Sequence, residues 1–210
     1  MSLGGDGTFL NSAKYAVDQR VIGVNTNPKK SVGFMTRFSD KNIEQLLRQL
    51  DFANPSFNNN YECWRRLSAK IDGVDFNQYA INEVFIGNLN ITQTSHLDVM
   101  QKPSMRKSFV RGNGIVISTN IGSNAFYKSA GGTPFSINGV GYVMVLPYSI
   151  EGNLSSSEIY DASSTIEVIP KRGSDSYVSF DCDEKRQFNV KQGSVIEVGL
   201  DTNNCLKVLR

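Results

Sequence analysis

Histidine is almost missing from the 210 residues: His96 stands alone, beside one tryptophan and three cysteines. A single imidazole argues against zinc sites built on paired histidines and leaves a Ser-His-Asp hydrolase nothing to spare. His96 is expected to be a strand residue with a local partner. Cys63, Cys182 and Cys205 are odd in number, widely spaced and without a CxxC pair, which predicts three separate thiols in a reducing compartment rather than a secreted disulfide scaffold. Charge of one sign is also missing. The 22 Lys and Arg nearly cancel the 20 Asp and Glu, giving a formal charge of +2, and no basic tail or aromatic-interleaved basic stripe provides a footprint for nucleic acid. No run approaches the roughly 18 apolar residues of a membrane span. The N-terminus lacks the charged segment and apolar core of a signal peptide. A soluble intracellular protein is expected, with neither nucleic acid nor membrane as partner.

What is present falls into two textures. In the first fifty residues Gly4-Gly5-Asp6-Gly7 is followed by Thr8 and then by Leu10, Ala13 and Val17 at helical spacing. Residues 20–25 read as one short buried strand. A second amphipathic helix is expected near Asp40, which would cap it, with Ile43, Leu46, Leu47 and Leu50 on one face. From Tyr61 onward the pattern changes to short alternating runs broken by Gly, Asn and Asp, as in antiparallel sheet. Strands are predicted at 67–71 and 76–86 around the hairpin signal Asp72-Gly73. Others are predicted at 96–100, 115–118, 142–146, 165–169, 177–180 and 195–200, with one short helix at 123–129. The fold class is therefore α/β plus all-β, with an α/β piece over 1–54 and an all-β domain over 55–210. The polar stretch 54–60 is the candidate linker, and the last residues are free to return to the first domain.

Gly4-Gly5-Asp6-Gly7-Thr8 is the sharpest local signal. Glycines let backbone N–H groups approach a phosphate, and the following helix offers its positive end. Asp6 beside such a phosphate could orient a hydroxyl nucleophile or hold Mg²⁺. A tight turn with Asp6 as helix cap fits the pentapeptide equally well. It is not a Walker A loop, because Gly-Lys-Ser/Thr is absent.

Further blocks follow in order: Val21-Ile22-Gly23-Val24-Asn25-Thr26, Val32-Gly33-Phe34-Met35-Thr36 and Asn82-Glu83-Val84-Phe85-Ile86. Gly112 through Thr119 then runs into Gly122-Ser123-Asn124-Ala125-Phe126 and Ser129-Ala130-Gly131-Gly132. Together they resemble the NAD kinase family across most of the chain. The glycine block alone is shared with diacylglycerol and sphingosine kinases; the Asn-Glu pair and the Gly-Ser-x-Ala segment select NAD kinase. The resemblance implies a truncated Rossmann-like N-terminal domain followed by an antiparallel β-sandwich-like domain, with NAD bound between them. It implies ATP and Mg²⁺ as cofactors, NAD as substrate, and a homodimer or homotetramer.

Carried over by position, Asp6 would be the catalytic carboxylate. Gly4, Gly5, Gly7 and Thr8 would cradle phosphates, and Mg²⁺ would bridge the phosphates of ATP. Asn82 and Glu83 would contact NAD, with ionised Glu83 accepting two hydrogen bonds from a vicinal diol. Asn113, Ser123, Asn124, Ala125 and Ser129 would line the NAD site. No side chain is assigned as a resident metal ligand. Without the resemblance, Asn82 and Glu83 read as a strand end and residues 123–129 as a turn with a short helix. Asp181 matches a family segment ending in Asp-Gly, although Cys182 follows here, and a plain hairpin turn is its simpler reading.

The chain also departs from the family. Asn113 replaces a usual Asp, Asn120-Ile121 replaces Pro-Thr, and Asn124-Ala125-Phe126 replaces Thr-Ala-Tyr, the last change removing two hydroxyls. Asn27-Pro28-Lys29-Lys30-Ser31 looks like the divergent, mitochondrial-type branch; Lys29 and Lys30 read as a solvated turn or as phosphate contacts. Only Met1-Ser2-Leu3 precedes the glycine block, so the strand that should lead into it is expected to be absent and the nucleotide domain reduced. Two rivals to an active NAD kinase follow: a weakened NAD(H)-binding homologue, and a lipid kinase of the diacylglycerol or sphingosine type. A cytoplasmic setting is the default, with a mitochondrial one left open.

Overall fold

The computed structural model describes residues 1–49, 61–90, 92–171 and 176–209. They form two compact units, Met1–Trp64 with Asn203–Arg210, and Arg65–Thr202. The domain boundary expected at residue 54 and the linker at 54–60 lie outside the described residues.

In the first unit Ser2–Leu3 forms strand β1, which runs straight into helix α1 at Asp6–Ala13. The expectation that no strand precedes the glycine block is thus corrected. Two residues suffice because β1 pairs in parallel with β3, Ser2 opposite Gly23 and Leu3 opposite Val24. The predicted strand over 20–25 divides at Ile22. Arg20–Val21 (β2) pairs with the C-terminal strand at Lys207 and Val208, whereas Gly23–Asn25 (β3) lies between β1 and Phe38–Ser39 (β4). Helix α1 also begins earlier than its apolar spacing suggests, at Asp6, and ends before the exposed Val17. Its buried face is Phe9 and Ala13, with Phe9 against Trp64 at 5.7 Å between ring centroids. Helix α2 opens at Ile43–Gln49, and the turn before it is closed by Ser39 and Asn42 rather than by Asp40. Leu47 is exposed, and the side chains of Leu46 and Leu50 are outside the description.

The second unit is a β-sandwich, of whose first and last strands the ends, 61–64 and 203–209, belong to the first unit. Its strands follow as β5 (Tyr61–Ile71), β6 (Val74–Ala80), β7 (Glu83–Gly87), β8 (Ser95–Lys102), β9 (Arg106–Gly112) and β10 (Gly114–Thr119). After a 3-10 turn at Gly122–Asn124 and helix α3 at Phe126–Ser129 come β11 (Gly139–Val145), β12 (Ser149–Gly152), β13 (Ser157–Asp161), β14 (Thr165–Pro170), β15 (Ser176–Phe180), β16 (Gln187–Val190) and β17 (Ile196–Leu209). One sheet is ordered β13-β11-β10-β7-β15-β16; the other runs β12-β9-β8-β14-β17-β5-β6. Between them lies one apolar core, fed by Leu97 and Val99 of β8, Ile115 and Ile117 of β10, Tyr142 of β11, Ile166 of β14, Phe180 of β15 and Val198 of β17. Strict alternation in β8, buried at Ser95, Leu97, Val99 and Gln101, is the two-residue period of a strand covered on one face. Strand β10 is buried at every position, because α3 and its neighbours cover its second face through Val116, Tyr127 and Val143. His96 sits on β8 near Phe109, as a strand residue with a local partner.

Two expectations change here. The run over 76–86 is not one strand but two, since β6 belongs to one sheet and β7 to the other, with the crossing at Ile81-Asn82. The cysteines are not three thiols either: Cys63 on β5 and Cys205 on β17 form a disulfide, with Cα atoms 5.4 Å apart, and only Cys182 is free. A separation of 142 residues hides this pair from any spacing rule. The sandwich core makes a direct prediction. Truncating fully buried Ile117 to Ala should cost about 2–5 kcal/mol in urea unfolding, and a loss below about 1 kcal/mol would mean that the site is not close-packed.

Candidate functional site

The glycine block lies wholly in the first unit. Gly4 has φ +153°, and an added Cβ would stand 2.4 Å from Thr8 Oγ1, so the turn into α1 admits glycine alone. Gly5 is the N-cap of α1 and has no side chain with which to cap it, so the first N–H groups of the helix have no intrahelical acceptor. Asp6 and Gly7 occupy its first turn, Gly7 with open space around it, and Thr8 is exposed. Asp6 does not cap its own helix. Its Oδ2 accepts the backbone N–H of Phe34 at 3.0 Å, while Oδ1 accepts that of Met35 at 2.8 Å and the Thr36 hydroxyl at 3.4 Å. The carboxylate therefore ties the segment 34–36 to the glycine turn. Oδ1 is filled by its two donors, whereas Oδ2, with one, keeps a lone pair. Lys29 and Lys30 lie in an exposed turn.

The second group gathers where the chain changes sheets. Ile81 and Asn82 leave one ladder before entering the other, so their backbone groups need partners elsewhere. The Asp181 carboxylate supplies two, accepting from Ile81 N at 3.2 Å and Asn82 N at 2.7 Å. Thr119 Oγ1 donates to Ile81 O at 2.6 Å, and Asn82 O accepts from Thr119 N at 2.9 Å and Ser118 Oγ at 3.0 Å. Gly122 packs so closely that a Cβ there would lie 2.2 Å from Asn82 O. Above this fixed backbone stand Asn82 and Glu83, 7% and 2% exposed. Asn82 Oδ1 and Glu83 Oε2 are buried with no hydrogen-bond partner among the described residues. Buried polar atoms are normally satisfied, and two adjacent orphans mark a place shaped for a polar ligand.

The remaining predicted residues divide. Ser123 is buried, and its hydroxyl donates to Asn120 O and Phe135 O while accepting Phe135 N, so it staples a turn. Ser129 is exposed, with its hydroxyl near Ala125 O, Asn124 is exposed and Ala125 half-buried. Asn113 donates to Gln93 O and, with Phe85, Asn88, Leu89, Phe126, Val145, Ser179, Cys182 and Gln187, lines a cavity of about 240 Å³. No lining side chain carries a formal charge. Sequence reasoning missed Thr119, Cys182 and Arg186 as parts of this region. Cys182 and Asp181 both have φ +50°, which explains why glycine would sit comfortably at 182, and Cys182 Sγ donates to Glu83 Oε1 at 3.4 Å.

Burial, reinforced by the Asp181 carboxylate, pushes the Glu83 carboxyl from 4.5 up to about 8, against a smaller pull from the Cys182 thiol. Burial and the same carboxyl push that thiol up to about 12. The expectation of an ionised Glu83 is corrected accordingly: at neutral pH the group keeps its proton and can both donate and accept. The folded chain then holds a proton that the unfolded chain loses between about pH 4.5 and about pH 8. Stability from this source is complete below that window and falls as pH rises through it, by up to about 1.4 kcal/mol per pH unit. Glu83→Gln should flatten that slope in unfolding curves recorded across the window; identical slopes for the two proteins would refute the assignment.

Comparison with known proteins bears on the whole arrangement. Residues 81–207 match the family model described as the ATP-NAD kinase C-terminal domain, a stretch that takes in more than half of the chain. The NAD kinase of Lactococcus lactis subsp. lactis is 30% identical over 209 residues, covering 96% of this chain and 74% of that protein. That of Mycoplasmoides gallisepticum is 35% identical over 131 residues, covering 61% of this chain and 42% of its own. Among solved structures, yeast NADH kinase complexed with NADH aligns with a TM-score of 0.79 at 19% identity, over 99% of this chain and 60% of that one. NAD kinase from Archaeoglobus fulgidus in complex with ATP aligns at 0.76 and 18% identity, over 99% and 76%. At such identities these two speak for the fold, α/β followed by a β-sandwich. Taken with the domain match and the length of the Lactococcus alignment, they place this chain in the NAD kinase family.

Proposed function

We propose that the chain is an ATP-dependent NAD kinase, which moves the terminal phosphate of ATP to the 2′-hydroxyl of the adenosine ribose of NAD. The observation that carries this reading is the adjacent pair of buried, unpartnered oxygens on Asn82 and Glu83 within the segment matched by the kinase domain. An amide oxygen and a protonated carboxyl together can meet the hydroxyls of a ribose or the edge of a base. The neutral, aromatic-walled cavity bounded by Phe85, Phe126 and Asn113 suits an uncharged planar ring nearby.

In the phosphoryl step the ribose oxygen bonds to the γ-phosphorus, the bond from that phosphorus to the β-bridging oxygen breaks, and ADP leaves. Such transfers depend mostly on positioning and charge neutralisation. The N–H groups at Gly5 and the first turn of α1 would receive phosphate oxygens. Asp6 would accept the hydroxyl proton through the lone pair of Oδ2 that Phe34 does not use. Mg²⁺ fits this setting, because it is ordinarily held by substrate phosphates and one or two carboxylates, and Asp6 is a carboxylate at the glycine turn. When bound it would neutralise charge on the ATP phosphates. ATP and NAD(H) are thus the proposed small-molecule partners, with a homodimer or homotetramer and the cytoplasm as the proposed state and setting.

The test is to incubate the purified chain with NAD, ATP and Mg²⁺ and read NADP with an NADP-specific dehydrogenase. NADP should form, and no NADP would overturn the activity. Asp6→Asn should lower the rate by roughly 10²–10⁴-fold, the range for loss of a proton-accepting group, while calorimetric NAD affinity stays within a few-fold. A fully active Asp6→Asn protein would remove Asp6 from the chemistry.

A further inference from the structure

Asp181 is 1% exposed in its side chain, and an isolated carboxylate at that depth would be strongly penalised. Arg186, 10% exposed, answers it: Nη2 lies 2.8 Å from Asp181 Oδ2. The same guanidinium reaches two further elements, donating from Nη1 to Tyr79 O at the end of β6 (2.7 Å) and from Nε to Asp183 Oδ2 (3.2 Å). Asp181 in turn donates its own N–H to Glu83 O at 2.9 Å. One fork thus joins the strand that ends before the sheet crossing, the turn at Asp181 that receives the crossing, and the N-cap Asp183 of the 3-10 turn at Glu184–Arg186. Buried ion pairs seldom add stability over apolar side chains of the same shape. What this one fixes is a geometry, and the residues at that geometry are Asn82 and Glu83.

We propose that Asp181 and Arg186 are a positioning pair for the dinucleotide substrate: they clamp the backbone at Ile81–Glu83 so that Asn82 Oδ1 and Glu83 Oε2 stay aimed at the ligand. Neither residue touches the ligand; both act through Asn82 and Glu83. The inference rests on the kinase reading above. It differs from a purely structural role in its selectivity, because the clamp lies under the dinucleotide contacts and holds none of the glycine-block residues assigned to ATP.

Wild type, Asp181→Asn, Arg186→Gln and Arg186→Lys are compared in four measurements: NAD affinity by calorimetry, KM for NAD and for ATP with kcat, amide hydrogen exchange at residues 81–83, and Tm. Asp181→Asn and Arg186→Gln should weaken NAD affinity and raise its KM by about ten-fold or more, the loss typical of a charge-assisted hydrogen bond. The KM for ATP should stay within about two-fold, kcat should change little, as when uniform binding is lost, and exchange at Asn82 should quicken. Arg186→Lys keeps the charge without the planar fork and should fall between wild type and Arg186→Gln. It decides the matter if the other two fail to fold. The proposal is overturned if the folded variants bind NAD as wild type does, or if both KM values and Tm worsen together. Wild type that binds no NAD would instead sink the kinase reading, and the positioning role with it.

Discussion

Two backbone N–H groups, those of Ile81 and Asn82, stand between the two sheets of the sandwich with no ladder to join, and a single carboxylate accepts both. Much else follows from that. A buried N–H without an acceptor costs about as much as a lost hydrogen bond with its desolvation, roughly 1–3 kcal/mol each, so the crossing exists only because Asp181 is there. The carboxylate in turn calls for Arg186, and its charge helps to keep the Glu83 carboxyl protonated. Architecture and site chemistry meet in one set of hydrogen bonds.

A related economy appears in the first unit. Asp6 leads helix α1 and also holds the backbone of Phe34 and Met35, so the residue assigned to chemistry is also a tie between the glycine turn and the loop after β3. The bonds from Phe34, Met35 and Thr36 fix both oxygens in space and leave a lone pair on Oδ2. A carboxylate held in this way loses little orientational freedom when a substrate hydroxyl arrives.

Alternation and turn residues made most of the sandwich legible in the sequence. Residues 96–100, 115–118 and 165–169 fall inside β8, β10 and β14, and Asp72-Gly73 does turn a hairpin between β5 and β6. Strands β9, β12, β13 and β16 went unread: Arg106–Gly112 is rich in basic residues, and the other three are short and partly exposed, so no apolar period announces them. The break at Ile81-Asn82 was invisible because a strand that changes sheets keeps its alternation. Ser2–Leu3 is too short to predict, yet pairs because β3 already offers a parallel edge. For the candidate site, the motif blocks stand out in the sequence, but the residues that support their backbone do not. Nothing about Arg186 in the sequence distinguishes it from a surface charge.

Gly122 carries a consequence for how such a site can diversify. With its Cα pressed onto the Asn82 backbone, the floor beneath the ligand contacts is built from main chain, which side-chain substitution does not readily reshape. The neighbouring cavity is built differently, since Asn113 from a turn and Phe126 from a short helix line it with side chains. On the proposed function, substitution at Asn113 or Phe126 would change the lining of that cavity without moving the main-chain floor below.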